Sequence, residues 1–423
     1  MQCHLLSFEG PDSYAEAGGL ASRIRGLSNN LVNAGFETHL WFVGDPQLPG
    51  YEKRAGLHLH RWCQWISQYH PLGVYDGEEG KRADYAASLP PYLLTHFLLP
   101  ALKQGEHILL MAEEWHTVDA VLHLDWLLQM SGLRGQVTLL WNANNTFGFD
   151  KINWEQLRKS VIITTVSRYM KGLMQHLCVD AMVIPNGLPR DAYLLPDEEA
   201  LKKLREQLPG RTIVTKVARW DSAKRWEPAI QAVGALKKEG WRPMLIARGG
   251  KEPYGSEVLK SAVALGLRVR ERALFSPDER GLLNALDDLD GVDVLSLITP
   301  VEPKVRGLLF AGADAVLANS SHEPFGLVGL ETMAVKGIAC IGNTGEDYAI
   351  PGYNAIVMET DDPWEFIRQY AALKNDPAKE RALRQAGRKT AQRYAWLKII
   401  QTVLLPRVTA LAGPQSSPPR QAA

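Results

Sequence analysis

The chain has 423 residues, with 47 basic and 47 acidic side chains and 46% hydrophobic residues; this is room for two or three domains and the composition of a globular protein. Residues 1–190 carry 15 Lys+Arg against 18 Asp+Glu and the remainder 32 against 29, so neither half has the basic field that nucleic acid would need. Cys3, Cys63, Cys178 and Cys340 stand apart without CxxC or zinc-finger spacing, no charged leader precedes an apolar segment, and no apolar run reaches about 18 residues, so a cytoplasmic protein with reduced thiols and no transmembrane segment is expected, with peripheral membrane contact left open.

In chain order, CHLLSF near the start reads as a strand buried inside a parallel sheet. A glycine pair, Gly18-Gly19, then opens a helix with Ile24, Leu27, Leu31 and Val32 on one face. Strand, glycine turn and helix form an arrangement through which a phosphate or sugar can approach backbone, although such turns are also common without a ligand. Residues 38–43 predict a second strand. Residues 44–90 read as irregular, and 92–102 as an apolar core helix broken near Pro100. The strand at 107–112 ends in Glu113-Glu114-Trp115-His116, before a helix over 118–130. Ligands of parallel α/β sheets lie beyond the carboxyl ends of strands, which draws attention to His116, while a lone histidine is more often structural. Strand 137–141 ends in an amide-rich turn where Asn144 and Asn145 suit acceptor hydroxyls or simply turn the chain.

A strand near 161–166, a short helix and Pro185-Asn186-Gly187 follow, and residues 189–211 read as a linker with a helical patch. Strand 212–218 then runs into a basic loop containing Arg219 and Lys224, and the tryptophans Trp220 and Trp226 beside them either pack the loop or stack on a ligand. Strands and helices alternate to residue 358, predicting a second parallel sheet. Within it, 315–318 is a buried strand, Glu323-Pro324-Phe325-Gly326 a turn, and Leu327 to Val335 a helix ended by Gly337. The helix start offers unpaired amides and partial positive charge, suited to phosphate. Glu323 stands before it and Glu331 inside it, two carboxylates able to accept from sugar hydroxyls. Each alone would read as a surface charge; as a pair around Pro-Phe-Gly they fit a nucleotide sugar. A charged helix over 378–394, an apolar one over 396–411 and a disordered tail over 412–423 complete the chain.

The stretch from Glu323 through Glu331-Thr332-Met333-Ala334 resembles the Glu-x7-Glu signature of retaining glycosyltransferases of family four, which have the GT-B fold. Arg219 with Lys224, and Pro185-Asn186-Gly187, are similar to further segments of that family. The resemblance implies an α/β chain of two Rossmann-like parallel-sheet domains facing across a cleft. These would be an acceptor-side domain over 1–188, a linker region over 189–211, a nucleotide-sugar domain over 212–394, and a helix over 395–411 crossing back to the first domain. It implies transfer of a hexosyl group from a nucleotide-diphosphate sugar to a sugar or other hydroxyl-bearing acceptor, with retained configuration and no metal or other cofactor. Glu323 would contact the donor sugar and Glu331 the ribose. Arg219, Lys224 and the backbone at Phe325, Gly326 and Leu327 would hold the diphosphate, while Gly18, Gly19 and His116 would lie near the reacting centre. Two other functions fit the same residues: a disaccharide phosphorylase of the same fold, and a catalytically silent nucleotide-sugar-binding protein.

Overall fold

The computed structural model describes residues 1–412. The chain divides into two compact units, one made of residues 1–187 with the C-terminal segment from Ala395, the other of residues 188–394. No helix among the described residues is long and apolar enough to cross a membrane.

The first unit is built on an eight-stranded sheet. Its strands are β1 (Gln2–Leu6), β2 (Glu37–Val43), β3 (Tyr51–Arg54), β4 (Leu57–Trp62), β5 (Ile108–Glu113), β6 (Val137–Ala143), β7 (Ile162–Thr165) and β8 (Met182–Val183). They run in the order β3-β4-β2-β1-β5-β6-β7-β8. All pairs are parallel except β3 with β4. β5 and β6 are buried along their whole length, as apolar strands covered by helices on both faces must be. β1 has β2 on one side and β5 on the other, so the winding reverses there and the loops after β1 and β5 diverge.

The stretch 44–90, expected to be irregular, is ordered. β3 and β4 form a hairpin closed by Ala55 (φ 47°) and Gly56 (φ 86°), the left-handed pair that a tight hairpin turn requires. β3 is an exposed polar edge strand, so it lacks the apolar alternation that marks a strand in sequence. The helix Glu78–Leu93 runs through Pro90 and Pro91, continues as a π-helical turn over Leu94–Leu98 and ends at Lys103. The sequence suggested a break near Pro100; instead the chain stays helical, with the wider turn set just before Pro100, and the Ala86 carbonyl that Pro90 cannot bond lies 2.8 Å from His123 Nδ1.

The C-terminal segment repeats this device, with helix Trp396–Ile399, a π-helical turn Ile400–Leu404 and helix Leu405–Ala412 around Pro406. Trp396 is 2% exposed. A Cβ on Gly26 would lie 2.0 Å from its ring nitrogen and one on Gly187 2.7 Å from its ring carbon Cδ2. Two glycines thus make the slot that receives the indole. Arg23 lies over the same ring at 5.6 Å, and pairs with Glu113 at 3.0 Å and with Asn186 at 2.6 Å. The Pro-Asn-Gly segment, β5 and the C-terminal segment are therefore fastened at one point. The expected disordered tail over 412–423 lies outside the described residues, except for Ala412 at the helix end.

The second unit holds β9 (Thr212–Val217), β10 (Pro243–Arg248), β11 (Val269–Arg272), β12 (Val294–Leu297), β13 (Ala315–Leu317), β14 (Ala339–Ile341) and β15 (Ile356–Val357). Their order is β11-β12-β10-β9-β13-β14-β15, all parallel. The reversal falls between β9 and β13. Residues 189–211 contain a short 3-10 turn and the helix Glu198–Gln207, whose Leu204 is fully buried with Leu308 and Phe310. β11 and β15 were not expected from the sequence; one is a charged edge strand and the other two residues long.

Trp396→Ala should cost the first unit about 3–5 kcal/mol, the usual range for emptying a buried tryptophan site. Leu411→Ala, at a position 45% exposed, should stay within about 0.5 kcal/mol of wild type. Denaturant unfolding followed by circular dichroism measures both.

Candidate active site

The turn after β9 and the turn after β13 meet at the reversal point of the second sheet. Ser321 donates to the Ala223 carbonyl through its amide at 2.8 Å and its hydroxyl at 3.1 Å. Lys216, near the end of β9, is buried among apolar neighbours and donates to the Leu317 and Asn319 carbonyls at 3.0 and 3.3 Å and to the Asn319 side chain at 3.1 Å. These bonds bring Lys224 and Glu323 together, Nζ to Oε2 at 2.6 Å. Arg225 follows, in a left-handed conformation (φ 52°) at the start of the helix Trp226–Lys238, and pairs with Asp361. Arg219 is exposed in the same turn, its carbonyl held by the Trp226 indole at 2.8 Å. Trp220 and Trp226 pack against one another, ring centroids 4.0 Å apart and tilted by 37°, and belong to the unit's core. They pack the loop, which decides between the two readings left open by the sequence.

Gly326 begins the helix Leu327–Ala334 at φ 74° and ψ 60°. This left-handed conformation favours glycine, and a Cβ there would lie 2.6 Å from Glu346 Cγ. Phe325 is buried at 3% exposure against Tyr348 and Tyr394, and Tyr348 donates to the Gly326 carbonyl. The turn is also pinned from residue 345: the Gly345 amide donates to the Glu323 carbonyl at 2.8 Å, and a Cβ on Gly345 would overlap that oxygen at 2.3 Å. Glu331, on the same helix, is 19% exposed and pairs with Arg306 at 2.9 Å; burial pushes its carboxyl above the usual range.

Two buried groups behind the turn were not singled out from the sequence. Glu346 is pushed up to about 7 by burial and by the nearby Glu323 charge, while its Oε2 accepts from the Thr344 amide and hydroxyl. Lys216 is pushed down to about 7 by burial and then by Lys224 and Arg225. A lysine inside the apolar run TIVTKVA was the available signal for Lys216. Nothing local marks Glu346, because its burial comes from the fold of the preceding turn. Chemically, a cationic turn and a helix start with its amides face one another's flanks, the combination that attracts phosphate oxygens.

In the first unit, the groups near the carboxyl ends of β1 and β5 are mostly engaged with each other. Glu9 accepts from the Gly18 amide at 3.1 Å and the Ala21 amide at 2.9 Å, capping the helix Gly19–Asn33 with its own carboxylate. Tyr75 donates to the same carboxylate at 2.6 Å. A Cβ on Gly18 or Gly19 would meet nothing within 4 Å. His116 is buried, stacks on Phe8 at 4.6 Å and lies 2.6 Å from Glu78 through Nε2; burial lowers its pKa. Asn144 donates through its side chain to Glu113 at 2.9 Å and through its amide to Glu114 at 2.7 Å, and Asn145 reaches Glu114 at 3.3 Å. The two amides thus satisfy buried carboxylates. Glu114 has φ 67° and is pushed up to about 8 by burial.

Residues 290–390 match the family model described as Glycosyl transferases group 1. The match spans Glu323 to Glu331. Solved structures similar to the whole chain include sucrose-phosphate synthase from Thermosynechococcus elongatus, at 19% identity and TM-score 0.63, covering 96% of this chain and 99% of that one. The HepE protein of Anabaena in complex with UDP is similar at 15% identity and TM-score 0.63, covering 96% and 100%.

The fold is GT-B.

The catalytic domain of starch synthase IV from Arabidopsis thaliana, bound to ADP and acarbose, shares this GT-B architecture at 14% identity and TM-score 0.64, covering 94% and 98%. No curated protein matches the chain. The group 1 segment of this GT-B chain includes β12, β13 and β14 and the turn at Gly326, and stops before the C-terminal segment.

Glu114 gives the site a pH signature. Its folded pKa of about 8 lies above the ordinary 4.5, so between those values the folded chain holds a proton that the unfolded chain releases. Its contribution to stability is present at low pH and is lost as pH rises through that window. Glu114→Gln should flatten the fall in unfolding free energy between about pH 5 and 8, measured by urea denaturation at stepped pH.

Proposed function

We propose that the chain transfers a glycosyl group from a nucleotide-diphosphate sugar to a hydroxyl acceptor, as a retaining hexosyltransferase similar to family four, without a metal. The observation that carries this reading is the Lys224–Glu323 pair, 2.6 Å apart beside the helix that starts at Gly326. The group 1 match over this segment supports it, as do the UDP and ADP bound to two GT-B proteins of the same architecture.

In this reading the donor diphosphate lies against Arg219, Lys224 and the amides that follow Phe325 and Gly326. Departure of the nucleotide places growing negative charge on the diphosphate, and fixed cations and amides lower that barrier because they need not reorganise. Glu323 would bind the sugar ring through its hydroxyls, exchanging its present partner Lys224 for the donor. Glu331, held by Arg306, would bind the ribose. Gly18 and Gly19 leave open space on the acceptor side, and His116, neutral and fixed by Glu78, would act near the reacting carbon. Asn144 and Asn145 would serve the acceptor indirectly, by holding Glu113 and Glu114.

A panel of nucleotide sugars screened by thermal shift identifies the donor, because a ligand at 100 times its dissociation constant stabilises by about 2.7 kcal/mol. With that donor, Arg219→Ala and Lys224→Ala should each lower turnover by about 10²–10³-fold while the protein stays folded. Glu331→Ala should mainly weaken donor binding, since ribose does not change charge during transfer. Turnover within a few-fold of wild type in both basic variants would place the diphosphate elsewhere. An inverted product anomer, or activity abolished by EDTA and restored by manganese, would remove the retaining, metal-free mechanism.

A further inference from the structure

The opposite end of the first sheet holds a histidine row that the transfer reaction does not use. Register pairs His4 with His39 and His39 with His58, so the rings lie side by side across β1, β2 and β4. They stack at 4.8 and 4.3 Å. Glu37, at the start of β2, joins them: single ligand atoms of Glu37, His39 and His58 all lie within 4.8 Å of one another. Spacing along the chain gives no hint of this set, because its members come from separate strands.

We propose that Glu37, His39 and His58 form a binding site for a zinc-like divalent cation.

Each of the three has a neighbour on one of its two possible ligand atoms. His39 Nδ1 lies 3.0 Å from His60 Nε2. His58 Nδ1 lies 3.0 Å from the Tyr51 hydroxyl. Glu37 Oε2 accepts from Gln2 at 3.3 Å. Ligating histidines characteristically commit their second nitrogen in this way, which fixes tautomer and ring direction. His39 Nε2 is then the atom turned toward Glu37 Oε1, at 3.6 Å. Two ligand atoms bonded to one tetrahedral ion at about 2.0–2.1 Å stand about 3.4 Å apart, so this edge needs almost no movement. The same Nε2 is buried and makes no hydrogen bond among the described residues, in a side chain 4% exposed.

The chemistry selects the ion. Two imidazoles and one carboxylate suit zinc, cobalt or nickel rather than calcium or magnesium. Glu37 is 49% exposed, leaving an open side for water and for entry. Lys53, paired in register with His58 across β3 and β4, is a cation that opposes the ion. The site would fasten β2 to β4 at their starts, near the β3–β4 edge. It lies in a different unit from the proposed donor turn.

The test is titration of the full chain with cobalt(II), read by its visible ligand-field absorption, and with zinc by calorimetry. Glu37→Gln and His58→Gln are the variants, each checked for fold by circular dichroism; Glu37 is exposed, so its substitution leaves packing intact. Wild type should bind one equivalent with a tetrahedral cobalt spectrum, each variant should bind at least about 10-fold more weakly, and zinc should raise the unfolding midpoint of wild type alone. Absence of stoichiometric binding by wild type, or wild-type affinity in both variants, would overturn the proposal.

Discussion

The second unit depends on a buried lysine. Lys216 sits in the middle of an apolar sheet, where an unsatisfied charge would be prohibitive. It is tolerated because Leu317 and Asn319 turn three oxygens toward it and Trp226 lies beneath it at 5.5 Å. Those acceptors belong to the turn after β13, so the lysine ties that turn to β9. Through this tie, Lys224 of one loop and Glu323 of the other come within hydrogen-bonding distance. Lys224 and Glu323 neutralise one another across the two turns.

The first unit solves a different problem with acids. Glu9, Glu113 and Glu114 are buried near the carboxyl ends of β1 and β5. Helix amides, Arg23 and the asparagines after β6 satisfy them. Holding several carboxylates in a dry place raises the proton affinity of Glu114, which lacks the direct cation that Glu113 has. The same network fixes the Pro-Asn-Gly turn and the slot for Trp396, so the polar end of the sheet and the seat of the C-terminal segment form one construction.

What the sequence made readable follows from how local each cause is. The strand–turn–helix around Gly326 was readable, because a left-handed glycine, a helix start and the spacing from Glu323 to Glu331 all lie within a few residues. The buried central parallel strands were readable from their apolar runs, whereas β4, β11 and β15 were not. β3 was not, because a polar edge strand has no buried face to show. The helix through Pro90 and Pro91 was not, because the Ala86 carbonyl that Pro90 leaves without a donor meets His123, far along the chain. The partners of Asn144, Asn145 and His116 were also out of reach: each is set by a residue tens of positions away, as are the ties of Lys216 and the histidine row.

Hydrogen exchange with and without a bound nucleoside diphosphate tests the central claim most directly, that the turns after β9 and β13 hold the donor diphosphate. With uridine, adenosine and guanosine diphosphates tried in turn, the one that binds should slow amide exchange across 219–226 and 323–331. The strongest effect should fall on the first amides of the helix that begins after Gly326. Saturating binding that leaves both stretches exchanging as in the free protein would contradict the account.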